Sequence, residues 1–367
     1  MEHKKIRLID CCKSISDGDH LPPPKSQSGV PFITISNIGR DNIINFEDTM
    51  FVSEGYYDTL PKEKKAQVGD ILYSVVGSFG KPVYIDFEKK FVFQRHIAIL
   101  KPNNTINPRY LYYVMLNPDF YYVADKMAIG AAQRTITLDS LRNICINLHD
   151  MDMQSAIVDV LSSVDRKIQC NKKINDNLQQ MSVATYMHLF YGKKCNGRLG
   201  DILVENAKST IQVGEAKDKS GDYPFFTSGD AVLRWTEPIV DGRNIFLNTG
   251  GNADVKFYVG ATSYSTDTWC ITAKDDMEDY LYLLLNSIKQ ELDLKFFQGT
   301  GLKHLQKPLL KDKVIYIPSK EEISSFNADV KSWLSMISDN TRESYRLSAL
   351  HDWLLPMLMN GQATISD

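Results

Sequence analysis

The sequence predicts an α+β protein built as two tandem domains of mixed α/β type, each followed by a long helix with a coiled-coil seam. Three observations carry that prediction. The chain repeats itself at an offset of about 170 residues, far longer than a solenoid unit of a few dozen. Short alternating apolar runs, separated by Gly, Pro and Asn clusters, fill the first part of each copy. A seam of apolar residues at steps of three and four closes each copy.

The repeat rests on four elements in one order. Asn107-Pro-Arg-Tyr-Leu-Tyr-Tyr-Val-Met-Leu-Asn117 is echoed by Glu278-Asp-Tyr-Leu-Tyr-Leu-Leu-Leu-Asn286. Gly130-Ala-Ala-Gln-Arg-Thr-Ile136 is echoed by Gly299-Thr-Gly-Leu-Lys-His-Leu305, and Ile144, Ile146 and Leu148 by Ile315 and Ile317. A long polar–apolar helix pattern follows each time. Two copies of one unit suit a protein that reads two things at a fixed separation.

Residues 1–152 form the first mixed domain, with strand candidates such as Gly69-Asp-Ile-Leu-Tyr-Ser-Val-Val76 and Gln94-Arg-His-Ile-Ala-Ile-Leu100. One helix, near Pro108–Leu116, continues after Asn117-Pro118. Residues 153–195 carry the first long helix, on Ile157, Leu161, Val164, Ile168, Leu178 and Met181. It spans about 38 residues, about 57 Å at the standard rise, and Gly192 is its stop signal. Residues 196–320 repeat the mixed pattern, and 321–367 hold the second helix and a tail. Its seam is Ile323, Phe326, Val330, Trp333, Ile337, Asn340, Ser344, Leu347, His351, Leu354 and Leu358. Pro356 is expected to kink or end the last turn. Asn171 and Asn340 both fall on the seams near mid-helix, so antiparallel pairing would let the two amides bond across the core and fix register.

Composition narrows the class. The chain is 43% apolar and 24% charged, ordinary for a soluble domain pair. No apolar run is long enough to span a membrane, and the opening residues lack the apolar core of a secretory signal. A cytoplasmic protein without a membrane partner is expected. The six cysteines and seven histidines show no metal-ligand spacing. A net charge of −3 argues against coating nucleic acid by bulk charge, but allows a local basic cleft.

Catalytic motifs are missing. The sequence has neither a Walker-type phosphate loop nor a dinucleotide fingerprint. Asn117-Pro-Asp-Phe120 half resembles a base-methyltransferase tetrapeptide but reads better as a helix boundary. Asp201, Glu215 and Lys217 have the residue types of a metal nuclease centre, at a spacing that occurs freely by chance. The row Tyr112, Tyr113, Tyr121 and Tyr122 could stack nucleic-acid bases, but its helical spacing points to core packing.

Binding chemistry is better represented. Loops after the strands hold Gly77-Ser-Phe-Gly-Lys81, Gln94-Arg-His96 and Gly130-Ala-Ala-Gln-Arg-Thr135 in the first copy. The second copy has Thr249-Gly-Gly-Asn252, Thr266-Asp-Thr268 and Gln298-Gly-Thr-Gly-Leu-Lys-His304. Glycine lets backbone approach phosphates, Lys, Ser and Thr anchor the DNA backbone, and Arg or amide side chains read base edges. The candidate DNA contacts are Lys81, Gln94, Arg95, Gln133, Arg134, Asn252, Lys303 and His304.

In the order of these elements the chain resembles the specificity (S) subunit of a type I restriction–modification system. The resemblance is carried by Arg7-Leu-Ile-Asp10, Val30-Pro-Phe-Ile-Thr-Ile-Ser-Asn-Ile38, Val68-Gly-Asp-Ile-Leu-Tyr-Ser74 and Leu141-Arg-Asn-Ile-Cys-Ile146. The second copy adds Arg198-Leu-Gly-Asp201 and Tyr223-Pro-Phe-Phe-Thr-Ser-Gly229. It implies two target-recognition domains, each reading half of a split sequence in double-stranded DNA, held apart by a spacer in which the two long helices pair as an antiparallel coiled coil. It also implies a non-catalytic chain that scaffolds two methyltransferase subunits and restriction/translocase subunits. S-adenosylmethionine, ATP and Mg would sit on those partners, and none on this chain. The two halves differ in detail, so the target is expected to be asymmetric. Pro318-Ser-Lys-Glu-Glu322 keeps the family's stiff junction, whereas Leu148-His-Asp-Met-Asp-Met-Gln154 lacks its proline and reads as a looser one. The rival functions are an autonomous metal-dependent DNA endonuclease using Asp201, Glu215 and Lys217, and a coiled-coil adaptor that does not bind DNA.

Overall fold

A computed structural model describes residues 4–363 and 365, apart from 21, 22, 40, 132 and 218, so Ala132 of the first glycine-bearing loop lies outside the described residues. The chain divides into two compact units. Unit 1 takes the chain up to Arg166 together with Leu347 onward, and unit 2 takes Lys167–Arg346.

Unit 1 contains β1 (Lys4–Arg7), β2 (Cys12–Asp17), β3 (Val30–Ile33), β4 (Met50–Val52), α1 (Glu54–Thr59), β5 (Ile71–Ser74), β6 (Pro82–Tyr84), β7 (Val92–Phe93) and β8 (Ile97–Pro102). Helices α2 (Pro108–Leu116), α3 (Pro118–Met127) and α4 (Leu138–Asn143) follow, then β9 (Cys145–Leu148) and the start of α5 (Met151–Phe190). Unit 2 holds the rest of α5, then β10 (Gly197–Arg198), α6 (Leu199–Ile202), β11 (Leu203–Glu205), α7 (Val213–Lys217), β12 (Tyr223–Phe226), β13 (Leu233–Trp235), β14 (Arg243–Asn248), β15 (Val255–Val259), β16 (Ser263–Tyr264) and β17 (Thr268–Ala273). It continues with α8 (Glu278–Ser287), α9 (Lys289–Glu291), β18 (Phe297–Gln298), β19 (His304–Leu305), α10 (Lys307–Lys311), β20 (Val314–Ile315) and most of α11 (Lys320–Met359), whose last turns belong to unit 1.

The duplication is a strand-for-strand match. Sheet β2-β8-β5-β6 of unit 1 has the order of β11-β17-β14-β15 in unit 2. Sheet β4-β3-β7 corresponds to β13-β12-β16, down to the one parallel pair in each. Pair β1-β9 corresponds to β10-β20. The strands β5 and β14 carry consecutive apolar residues, Ile71-Leu72-Tyr73 and Ile245-Phe246-Leu247, because they are buried on both faces. One face of each packs on the helix with the Tyr-Leu-Tyr signature, which buries Tyr110 and Tyr113 in unit 1 and Tyr280 through Leu285 in unit 2.

Both long helices are 40 residues and continuous. In unit 2 they run antiparallel: Asn175 donates to the Ile337 carbonyl at 3.4 Å, while Asn171, one turn earlier, reaches Ser344 Oγ at 3.2 Å. In unit 1, Asp165 faces His351 at 3.6 Å and accepts from the Tyr113 hydroxyl at 2.6 Å. The expected bond between the Asn171 and Asn340 amides does not form. Asn171 Nδ2 donates to Glu343 at 2.8 Å and to the Asn340 backbone carbonyl at 3.5 Å, while Asn340 donates to Asn175 Oδ1 at 2.9 Å. The reason is geometric. Helical side chains lean toward their own N-terminus, so in an antiparallel pair each amide overshoots its opposite number by a turn.

The strict heptad seam also needs correction. Leu334, Ser338 and Leu355 are buried where Trp333, Ile337 and Leu354 were expected, and Ser182 is buried while Met181 is exposed. Ile323, Phe326, Val330 and Leu334 face the globular core of unit 2 rather than the other helix alone. That demands the broad stripe of a surface helix instead of a narrow two-helix seam. Pro356 does not end α11, which runs on to Met359. The carbonyl that its missing N–H would have bonded belongs to Asp352, an exposed residue, so the lost bond falls on the outer side of the helix.

The first junction is bolted despite its missing proline. Asp150 caps α5 by accepting from Met153 N–H at 2.8 Å. Gln154, 1% exposed, accepts from Asn107 N–H at 2.7 Å and donates to the His149 carbonyl at 2.8 Å. The second junction uses a capping box: Glu322 accepts from Ser319 N–H at 2.8 Å and Ser319 Oγ accepts from Glu322 N–H at 3.3 Å. Lys193 at 2.5 Å, the Ser319 N–H and the Tyr316 hydroxyl together hold the Glu322 carboxyl at about 2, down from 4.5. A depressed carboxylate stabilises the fold above its unfolded pKa and loses that contribution as pH falls through the folded one. Glu322→Gln is therefore expected to be less stable than wild type at pH 7, with the two denaturation curves converging between pH 4.5 and about 2. A constant difference across that range would remove the capping carboxylate from the account.

Candidate nucleic-acid interface

In each unit, three loops meet at one end of the central sheet. In unit 1 the loop after β5 is held on both sides. Val75 N–H donates to the His96 carbonyl at 2.9 Å, Gly77 N–H to the Arg134 carbonyl at 3.1 Å, and Ile136 N–H to the Val75 carbonyl at 3.0 Å. Unit 2 repeats the wiring. Thr249 N–H donates to the Asp267 carbonyl at 3.0 Å, Gly251 N–H to the Lys303 carbonyl at 3.0 Å, and Leu305 N–H to the Thr249 carbonyl at 3.0 Å. Gly77 and Gly251 both sit at positive φ, +73° and +82°, which lets the chain turn toward the third loop. The predicted loops are thus brought together, twice, by the same backbone bonds.

The side chains on this frame sort into struts and free groups. Arg134 and Lys303 occupy the same position in the two copies and both are struts. Arg134 Nε donates to Asp125 at 3.0 Å, with its terminal nitrogen on the Asp125 backbone carbonyl, and Lys303 pairs with Asp293 at 3.1 Å. Each ties its glycine-bearing loop to the segment that precedes it. Lys81 points its ammonium at the Ile38 and Gly39 carbonyls, 3.4 Å from each. These three are already occupied within the fold. Arg95 is exposed, and among the described residues its guanidinium hydrogen-bonds only to the neighbouring His96, at 3.5 Å. Gln133, Asn252 and His304 are exposed and Gln94 is half-buried.

The tyrosine row divides in a way its spacing did not predict. Tyr113 is buried and Tyr112 half-buried, but Tyr121 and Tyr122 are 45% and 59% exposed. Tyr121 lies against Gly80, where a Cβ would come within 2.5 Å of its ring, and its ring centroid is 5.5 Å from that of Phe79. Lys126 stands 4.0 Å over Tyr122. Asn117 is a helix cap, accepting from Asp119 N–H at 3.2 Å. The would-be nuclease carboxylates also act as caps: Asp201 accepts from Arg198 N–H at 2.7 Å and Glu215 from Gln212 N–H at 2.9 Å. Among the described residues, no group of three or more His, Cys, Asp and Glu side chains is placed to hold a metal ion.

The site also holds residues that sequence reasoning missed. Lys208 and Lys307, with Thr249 and Thr266, line a cavity beside the loops of unit 2. Neither lysine lies in a glycine-bearing loop, and no local pattern marks them.

Known proteins bear on this arrangement. The family described as type I restriction modification DNA specificity domain matches the chain twice, over residues 4–180 and 193–333. The HindI specificity subunit of a type I restriction enzyme, from Haemophilus influenzae, is 28% identical over 140 residues, covering 36% of this chain and 30% of that protein. The MjaVIII specificity subunit from Methanocaldococcus jannaschii is 26% identical over 174 residues, covering 46% of this chain and 40% of that one. The chain thus spans less than half the length of either relative. The crystal structure of a type I restriction–modification S subunit from M. genitalium shares the fold, with a TM-score of 0.66 at 14% identity over 100% of this chain and 97% of that one. Two matches that together cover most of the sequence, on two units of identical topology, establish that the chain belongs to the type I restriction–modification DNA specificity family.

Proposed function

We propose that the chain recognises a bipartite, asymmetric sequence in double-stranded DNA, each unit reading one half-site, and that it supplies specificity to a complex whose catalysis lies in other subunits. The observation that carries this reading is the three-loop frame built twice with identical backbone wiring but different exposed side chains. Identical frames present their loops alike, and different side chains read different bases. Arg95, Gln94 and Gln133 in unit 1, and Asn252 and His304 in unit 2, are the readers this reading favours. Arg134 and Lys303 position loops, and Lys81 braces one.

The partners in this reading are two methyltransferase subunits and restriction/translocase subunits, carrying S-adenosylmethionine, ATP and Mg between them, in the cytoplasm. Capping roles for Asp201 and Glu215 weigh against the nuclease alternative. The test is a base-resolution methylation map of DNA from cells expressing the chain with the methyltransferase encoded beside it. The expected result is a new motif of two unlike short half-sites separated by a fixed unspecified gap. An assembled complex that binds S-adenosylmethionine and leaves no new motif would sink the reading.

A further inference from the structure

A cavity of about 270 Å³ opens in unit 2 beside the loop that carries Thr249. Its lining includes Lys208, Thr266, Trp269, Lys307 and one carboxylate, Glu205. That carboxylate is already engaged: Lys311 pairs with it, and Trp269 Nε1 donates to it at 2.8 Å. Lys307 stands 4.8 Å over the Trp269 ring and makes no ion pair with a carboxylate among the described residues. Burial pushes its pKa down; Glu205 opposes this, while the charges of Lys208 and Lys311 add to it. Three ammonium groups thus gather around one occupied carboxylate, in a recess next to the candidate recognition loops. An anion entering the cavity relieves the repulsion and replaces the water lost to burial.

The fold alone does not create this charge. Strand register pairs Ile71 with Leu100 and Leu100 with Ile15 in unit 1, and Ile245 with Ile271 and Ile271 with Glu205 in unit 2. By that equivalence Lys208 stands where unit 1 has Gly18, and Lys307, opening α10, stands where Leu138 opens α4. The flanks of Gly18 are acidic: Asp17 is held by His20 at 2.8 Å and Asp19 is approached by Lys64 at 3.8 Å. One copy carries a cationic recess, and the other carries carboxylates at that place.

We propose that the Lys208–Lys307 cavity seats a backbone phosphodiester of the DNA beside the half-site of unit 2, an anchor that the equivalent place in unit 1 does not provide. The proposal rests on the DNA-recognition reading above. Lys208 and Lys307 neutralise the phosphate and the Thr266 hydroxyl donates to it. Such a contact sets register without reading bases, and it ties the affinity for the second half-site to salt.

The test uses the full chain assembled with its methyltransferase subunits, with affinity for the methylated motif's duplex followed across salt concentrations. Lys208→Gln/Lys307→Gln, which keeps much of both stems, is expected to flatten the slope of log K against log salt by about one, the loss of one phosphate contact. The methylated motif stays the same, and Lys307→Arg retains the wild-type slope. An unchanged slope in the double variant, with wild-type binding intact, overturns the seat and leaves the DNA reading standing. A relaxed base preference in the second half-site overturns it too, because the lysines would then be readers. Inorganic phosphate, titrated into the wild-type complex at constant ionic strength, separates the remaining source: saturable binding without any slope change in the double variant marks a free-anion site and overturns the DNA anchor. A wild-type complex with no sequence-dependent binding overturns the seat together with the function.

Discussion

Asp279→Ala is expected to destabilise unit 2 by about 3–5 kcal/mol, the usual cost of stranding one member of a buried ion pair. Asp279 sits in the first turn of the helix with the Tyr-Leu-Tyr signature and its side chain is 2% exposed. Arg243 grips it with two nitrogens, Nε at 2.8 Å and Nη2 at 2.7 Å. The same guanidinium donates to Ser335 Oγ at 2.9 Å and to the Lys331 carbonyl at 3.1 Å on α11. One arginine therefore joins β14, α8 and the long helix, and removing its carboxylate leaves a charge in a site that excludes water. Thermal denaturation followed by calorimetry measures the loss. Replacing both partners with apolar residues of similar volume should cost much less, because neither charge is then left behind. A single variant as stable as wild type would show that water reaches the pair.

Arg95→Ala is expected to relax one half of the methylated motif and weaken binding by about 1–3 kcal/mol, with the other half unchanged. Arg95 is free to meet a base edge. The turn between β7 and β8 is fixed by Arg95 N–H on the Asp19 carbonyl at 3.0 Å and Ile97 N–H on the Gln94 carbonyl at 3.0 Å. Its backbone is held, while its guanidinium pairs with no carboxylate among the described residues. Arg134→Ala should behave differently, acting through a displaced loop once the tie to Asp125 is cut. Methylation maps of the two variants separate these effects. Equal loss at both half-sites from Arg95→Ala would point to disrupted assembly and count against its role as a reader.

The duplication was legible in the sequence from α2 onward, because from there the two copies keep one offset of about 170 residues through helix, loop and strand. Earlier it was hidden. The stretch from β3 to β5 is longer in unit 1 than its counterpart from β12 to β14, so equivalent strands drift out of step. Only the register pairs, such as Phe32 with Val92 and Phe225 with Ser263, reveal that these edges correspond.

The sequence by itself determined the elements, their order, the two long helices and the loops on which binding chemistry gathers. Those follow from periodicity, turn residues and repetition, which are properties of neighbours along the chain. Only the tertiary structure decided which charges are available. Arg134 and Lys303 look like free cations until the fold brings Asp125 and Asp293 to them. Lys208 and Lys307 look unremarked until strand and helix carry them to one recess. Ion pairing depends on distance through space, and burial depends on what packs above a group. Neither is written in local spacing. The same holds for Asn171 and Asn340: the sequence placed both amides at mid-helix, and the lean of helical side chains decided that each would bond one turn past the other.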